Sequence, residues 1–122
     1  MIGRMTITRI GPSRYSATRS RIIVHHGVAT TAVVSPDKSR SLYVQARAAL
    51  AVLDQHLAEA GTHKARLLMV MVYVSDIGAK TEFNRAWDEW VDRENLPLRA
   101  CVGAALEGDD LVELVATAAV EP

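Results

Sequence analysis

The feature that most constrains the fold is an almost unbroken apolar run in the second half of the chain. Residues 66–74 read RLLMVMVYV, and Ser75 and Asp76 follow. A run of this length without polar alternation is typical of a strand buried on both of its faces. The sequence therefore predicts a strand here that is covered on both sides of its sheet.

Two segments on either side of this run have helical periodicity. Between about residues 41 and 60, apolar residues recur at steps of three and four, and Gly61 follows where a helix C-terminus favours glycine. A second helix is predicted over residues 80–93, ended by Asn95 and Pro97. His56 falls in the last turns of the first helix, where a protonated histidine suits the helix dipole.

The remaining segments have strand composition. We predict strands at 6–10, 21–29, 96–102 and 111–116, with an additional short strand possible at 30–34. The order β-β-α-β-α-β-β predicts an α+β fold, with a mixed sheet and both helices on one face.

The length of 122 residues fits one compact domain, 1–122, with two layers and no third. Because the strands are apolar on both sides, the second sheet face also needs a cover. We expect self-association through that face, and cyclic symmetry is the usual form.

Charge is balanced overall but unevenly distributed. The formal net charge is zero, so nothing global favours nucleic acid or an acidic membrane surface. Arginines occupy the first twenty-one residues without any acid (Arg4, Arg9, Arg14, Arg19 and Arg21), whereas acids crowd the end (Glu107, Asp109, Asp110, Glu113 and Glu121). Antiparallel pairing of the two termini, or packing between subunits, would neutralise this asymmetry. A basic arm that binds RNA is the alternative, and we favour it less because aromatic residues that could stack on bases are scarce.

The single cysteine, Cys101, excludes an internal disulfide and a cysteine-rich metal site. His25 and His26 are adjacent on a predicted strand, where neighbours point to opposite faces, so we expect no metal site there. No signal peptide or membrane span is apparent, and the expected compartment is the cytoplasm.

The last two predicted strands carry the residues best suited to chemistry. Arg99, Cys101 and Glu113 stand among apolar neighbours. An arginine holds a carboxylate through two parallel N–H donors, and a nearby carboxylate activates water. We therefore predict that Arg99 and Glu113 face each other across a cleft built from adjacent strands. Two alternatives remain. Glu113 is then an exposed residue on a strand that has one face in solvent, and Cys101 is a small buried hydrophobic residue.

The chain resembles the RidA (YjgF/translation-initiation-inhibitor) family of reactive imine and enamine deaminases. The resemblance covers nearly the whole chain, and its most specific segments are residues 97–102 (PLRACV) and 112–114 (VEL). Further matching segments are residues 14–16, 22–29, 45–50, 58–61, 72–77 and 83–87.

The resemblance implies a chorismate-mutase-like α+β fold, assembled as a homotrimer with three clefts between neighbouring subunits. It also implies that Arg99 binds the substrate carboxylate, that Glu113 orients water, and that Cys101 lines the same pocket.

Three further positions match the family pattern. Gly27 matches a glycine at the pocket strand, Asn84 an asparagine on the inward face of the second helix, and Tyr15, more loosely, an aromatic that closes the cleft. The segment 16–21 aligns only with a gap, and His25 and His26 replace residues that are usually small or aromatic.

The implied reaction is hydrolytic deamination of a small carboxylate-bearing imine or enamine to a keto compound and ammonia, with no metal and no organic cofactor. Two alternatives remain open. One is a trimer that binds small carboxylates without turnover, and the other is RNA cleavage or inhibition of translation.

Overall fold

A computed structural model describes residues 6–120; Arg4 and Glu121, named above for their charges, lie outside this part. Eight elements follow in chain order: β1 (Thr8–Ile10), β2 (Ile22–His25), β3 (Val28–Val34), α1 (Leu42–Glu59), β4 (Leu67–Val74), α2 (Lys80–Trp90), β5 (Leu98–Gly103) and β6 (Val112–Ala119). The strands form one sheet in the order β1-β2-β3-β6-β4-β5. Only β4 and β5 pair in parallel. The mixed sheet with two helices confirms the predicted α+β class.

The first helix agrees with its periodicity. Ser41 caps the N-terminus, since its side chain accepts a hydrogen bond from the backbone N–H of Val44. At the other end Ala60 is the C-cap, and Gly61 adopts a φ of +82° that most residues avoid. Between them α1 buries Leu50, Leu53 and other apolar residues completely. In residues 6–120 no helix is long and apolar enough to cross a membrane.

The core lies between the helices and one face of the sheet. Val70, Val72 and Val74 of β4 point into it and are fully buried. The intervening residues of β4, Met69, Met71 and Tyr73, lie on the opposite face and are only partly buried. The prediction that this strand is buried on both faces is therefore wrong for a single chain, because both helices cover the same side.

The predicted strand at 21–29 is wrong, because the chain reverses within it. His26 and Gly27 both have positive φ, 54° and 73°, and join β2 to β3 as a two-residue hairpin turn. The short strand considered at 30–34 is confirmed as the second half of β3.

The second helix ends at Trp90, earlier than predicted. The Lys64 ammonium donates to the carbonyl oxygen of Trp90 at 2.6 Å, which satisfies one of the last free carbonyl groups of the helix. Beyond it, the Asp92 side chain accepts a hydrogen bond from the backbone N–H of Glu94, a local turn that competes with helix continuation. Asn95 and Pro97 therefore follow a turn and do not end the helix.

Candidate functional site

Arg99 lies on β5, a strand at the edge of the sheet. It pairs with Val70, so its side chain leaves the sheet on the side of the helices. There its guanidinium donates to the Asn84 side-chain oxygen on α2 at 2.9 Å. Arg99 and Asn84, two of the residues matched to the family from the sequence, thus contact each other between β5 and α2.

Aromatic rings surround the same guanidinium. Its central carbon lies 5.5 Å from the ring centre of Phe83 and 5.3 Å from that of Trp87, within the range of cation–π attraction. No carboxylate in residues 6–120 forms an ion pair with Arg99. The cation is therefore held in place while its charge is not neutralised by an acid of its own chain.

Cys101 lies two residues further along β5 and points to the same side as Arg99, because it pairs with Val72. Its thiol is free, partly buried and packed against the core. Same-side neighbours on a strand are about 7 Å apart. Cys101 is thus close enough to line a site centred on Arg99.

Glu113 lies elsewhere. It belongs to β6 and pairs with Tyr73 and Val34, which places its side chain on the sheet face opposite the helices. Because β4 separates β5 from β6, Arg99 and Glu113 are about 10 Å apart across the sheet and about 10 Å along it. The prediction that they face each other from adjacent strands is wrong within one chain.

Glu113 instead lines a cavity of about 530 Å³ at the edge of β3. Strand β2 pairs with β3 only as far as Thr31, so residues 32–34 have one free edge. The lining comprises residues 13–15, 19–21, 32–34 and 107–110, with Lys38, Val52, His56 and Glu113. Tyr15 also borders this cavity, and its ring centre lies 5.6 Å from the Lys38 ammonium.

The charges of the cavity are partly paired. Lys38 forms an ion pair with Asp110, and Arg21 forms one with Glu59 at 2.6 Å. Glu113 forms no ion pair within residues 6–120. Its carboxylate is therefore free to accept a hydrogen bond from water or from a ligand.

Gly27 does not lie on a pocket strand, contrary to expectation. It occupies the turn between β2 and β3, and its positive φ explains why glycine stands there. The part of β3 that borders the cavity, residues 32–34, lies at the opposite end of the strand from Gly27.

The prediction that His25 and His26 are neighbours on one strand is also wrong. His26 is in the turn, and the two rings lie 4.0 Å apart, centre to centre, at nearly a right angle. Within residues 6–120 no group of three metal-ligating side chains comes together.

The sequence did not reveal the environment of His56. Its ring is buried between α1 and β3, with Nδ1 2.8 Å from the Thr31 hydroxyl. Burial is the main cause that lowers the pKa of His56, opposed by Glu59 and reinforced by Arg21 and Arg14. The lowered pKa favours the neutral ring over the protonated histidine that the helix end led us to expect. The available signal was its place within the apolar period of α1.

Comparison with known proteins identifies the family. A family model described as endoribonuclease L-PSP matches residues 14–120. The chain belongs to the RidA (YjgF) family. A RutC family protein of Haemophilus ducreyi is 41% identical to this RidA-family chain over 103 residues, which cover 83% of this chain and 88% of the relative. A RutC family protein of Haemophilus influenzae is 36% identical over 104 residues, covering 84% and 87% of the two chains.

A solved structure agrees with these relatives. A member of the YjgF protein family from Neisseria meningitidis superposes on this RidA-family chain with a TM-score of 0.88 and 31% identity, covering 97% of this chain and 98% of the other. The architecture described above is therefore the fold of the family.

Proposed function

We propose that this protein hydrolyses reactive imines and enamines of 2-keto acids to keto acids and ammonia. The observation that carries the proposal is Arg99: a guanidinium held by Asn84 and two aromatic rings, with no acid of its own chain as partner. Such a group has its charge and part of its donor set available for a substrate carboxylate.

Arg99 would bind the carboxylate through two parallel N–H donors. Because Asn84 and the rings already restrict the side chain, little further rotamer freedom is lost when the substrate binds. The electrophilic carbon is adjacent to the carboxylate in a 2-imino acid. Holding the carboxylate therefore also fixes the position of the reacting carbon.

Glu113 would act on water. Its carboxylate accepts a proton from a water molecule as the oxygen adds to the C=N carbon and the imine nitrogen takes up a proton. The carbinolamine then loses ammonia as the C–N bond breaks, and the keto group forms. An enamine first takes a proton at carbon to give the same imine. General-base assistance of this kind contributes about 100-fold or more, and the steps need no metal or organic cofactor.

The two halves of the site would come from two subunits. Arg99, Asn84 and Cys101 lie at the β5 edge, whereas Glu113 and Tyr15 border the cavity at β3. The uncovered sheet face presents Met69, Met71 and Leu98, the last 73% exposed. Burying this apolar surface in a homotrimer would bring Arg99 of one subunit to the Glu113 cavity of the next.

The test combines turnover with equilibrium binding. Ammonia release is measured from a 2-imino acid generated in place by an amino-acid oxidase, and binding is measured with the corresponding keto acid. We expect Arg99→Ala to lose both turnover and keto-acid binding. Arg99→Lys should not restore them, because lysine lacks the planar fork of donors. Glu113→Gln should lose turnover while it retains binding. Arg40→Ala, an exposed arginine outside the site, serves as the control.

Each outcome of this test is decisive. Normal turnover and binding in Arg99→Ala, with the assembly intact, would reject the assignment of Arg99. Keto-acid binding without turnover of any of several imines by the unmodified protein would favour a non-catalytic carboxylate-binding protein.

RNA cleavage is the second candidate, because the matching family model is described as an endoribonuclease. Arg9, Arg14 and Arg19 lie in the basic N-terminal segment and form no ion pair within residues 6–120. RNA held by these side chains would bind more weakly as the salt concentration rises. The logarithm of the affinity would fall with the logarithm of the salt concentration, with a slope of about −0.7 for each phosphate contact. Cleavage with this salt dependence that survives in Arg99→Ala would favour the nuclease.

A further inference from the structure

The cavity at the edge of β3 has two ends, one on each side of the sheet. Glu113 and Ala32 border it from the face opposite the helices, whereas Val33, Val52 and His56 border it from the helix side. Val33, Val52 and His56 are buried. A ligand that reacts beside Glu113 therefore has a second end of the same cavity beyond it, where two valine side chains and one imidazole meet.

The protonation of that imidazole follows from its hydrogen bonds. The Thr31 hydroxyl has a single proton, which it donates to the carbonyl oxygen of Arg21 at 2.8 Å. The same hydroxyl oxygen lies 2.8 Å from Nδ1 of His56, so Nδ1 carries a proton and donates it to Thr31. In the neutral ring Nε2 is then the acceptor, and it has no partner within residues 6–120.

Burial keeps this ring neutral near pH 7, because it lowers the pKa of His56 below its ordinary value. Nε2 therefore offers a lone pair and no proton. It is also held in one orientation, since Thr31 and the packed surroundings restrict the ring. An oriented acceptor without a partner in the described part of the chain selects for a donor group on the ligand.

We propose that Val33, Val52 and His56 form a specificity pocket for the substrate side chain, which selects a short aliphatic chain ending in a neutral hydrogen-bond donor, a hydroxyl or a carboxamide. This inference rests on the proposed function, because it assumes that the reacting carbon lies beside Glu113. The two valines contact the aliphatic stem, and Nε2 of His56 accepts the terminal donor. A cationic chain end is disfavoured by the arginines of the cavity lining, which act on the same imidazole, and a carboxylate end has no proton to donate to Nε2.

The test compares two substrates that differ only by a hydroxyl in place of a methyl group. The imines of homoserine and norvaline are generated by an amino-acid oxidase, and the ratio of their kcat/KM values is measured. One hydrogen bond corresponds to about threefold to tenfold in this ratio. We expect His56→Leu to reduce the preference for the homoserine imine over the norvaline imine by that factor. His56→Gln keeps an acceptor, and we expect it to retain part of this preference.

The control is His63→Leu, the same change at an exposed histidine just beyond α1, which leaves the ratio unchanged. The corresponding binding ratio is measured with 2-oxo-4-hydroxybutanoate and 2-oxopentanoate. His56→Gln provides the comparison if His56→Leu does not fold. An unchanged ratio in the His56 variants, or an equal loss for both substrates, would overturn the pocket.

The binding ratio separates this inference from the proposed function. If no imine is turned over but the keto-acid ratio still depends on His56, the pocket is supported and the deaminase is not. If neither keto acid binds to the unmodified protein, both are rejected.

Discussion

Arg99 is held by its contacts with α2, and this dependence makes Asn84 a positioning residue. The Asn84 side-chain oxygen accepts one N–H of the guanidinium at 2.9 Å, which leaves the other donors free for a ligand. Arginine carries five N–H donors in a rigid fork, so one contact fixes the plane without exhausting the group. The neutral amide is important, since a carboxylate at the same place would neutralise the cation.

The variant Asn84→Asp tests this directly, because it is nearly isosteric and introduces a carboxylate where the amide oxygen now lies. We expect the new ion pair with Arg99 to compete with the substrate carboxylate. Keto-acid affinity would then fall about tenfold further than in Asn84→Ala, which only removes the orienting contact. Calorimetric titration with a keto acid measures both variants. Weaker binding by Asn84→Ala than by Asn84→Asp would show that Arg99 needs only orientation.

At the residue scale the sequence predicted the strands that carry several candidate side chains but was a poor guide to where those side chains lie. The apolar surroundings of Arg99 and Cys101 indicated their strand, and the structure places them on one side of it with Asn84. Gly27 was misplaced because a hairpin turn at His26 and Gly27 lacks the usual Asn-Gly signal. His56 was missed because a histidine in a helical period looks the same whether it is buried or capping.

At the scale of elements, the contact between α1 and β3 depends on the protonation of His56. Burial lowers its pKa in the folded protein, whereas the unfolded chain titrates near the ordinary value of 6.5. As pH falls below this value, the unfolded state takes up the proton first. The contribution of His56 to stability is therefore present above pH 6.5 and is lost as pH falls towards the folded-state pKa.

We expect the free energy of unfolding to decrease between pH 7.5 and 5.5 more steeply in the unmodified protein than in His56→Gln. The difference in slope is at most about 1.4 kcal/mol per pH unit, the limit for one proton. Urea unfolding at several pH values measures it. Subtracting the pH profile of His56→Gln removes the contributions of the other histidines. If the free energy of unfolding instead decreased more steeply in His56→Gln, the buried ring would be stabilised as a cation.

Local sequence patterns predict individual elements better than they predict the order of strands in the sheet. Both helices and β4 could be predicted, because each has a periodicity or an apolar run of its own. The order β6-β4-β5 could not, since β4 separates two strands that follow each other in the chain. Pairing of β4 with both of them depends on non-local contacts that no local pattern records, and for this reason Arg99 and Glu113 were predicted on adjacent strands.

At the scale of the whole molecule, the separation of Arg99 from Glu113 requires a second subunit if the two act together. One side chain faces the helices at the β5 edge, and the other faces away from them on β6. No rotamer change brings them together, because the strand between them and the opposite faces are set by backbone pairing. A homotrimer with cyclic symmetry would supply the same complementary pair at each of its three interfaces.

Mixed assemblies test this arrangement. Arg99→Ala subunits keep Glu113, and Glu113→Gln subunits keep Arg99, so each pure assembly is inactive while a mixed one regains intact clefts. With random mixing of equal amounts in a trimer, about one quarter of the clefts receive both native residues, and we expect about one quarter of the native activity. The two variants are refolded together, and ammonia release is measured against each variant refolded alone.

The matched control is a mixture of Arg99→Ala with Arg99→Lys, in which both lesions fall on the same half of the cleft. No mixing ratio restores an intact cleft there, so activity stays at the level of the single variants. Recovery in the first mixture and none in the control requires that Arg99 and Glu113 act across an interface. Failure of both mixtures, with mixed assemblies demonstrated by mass spectrometry, would mean that each site is completed within one chain or that the two residues do not share a site.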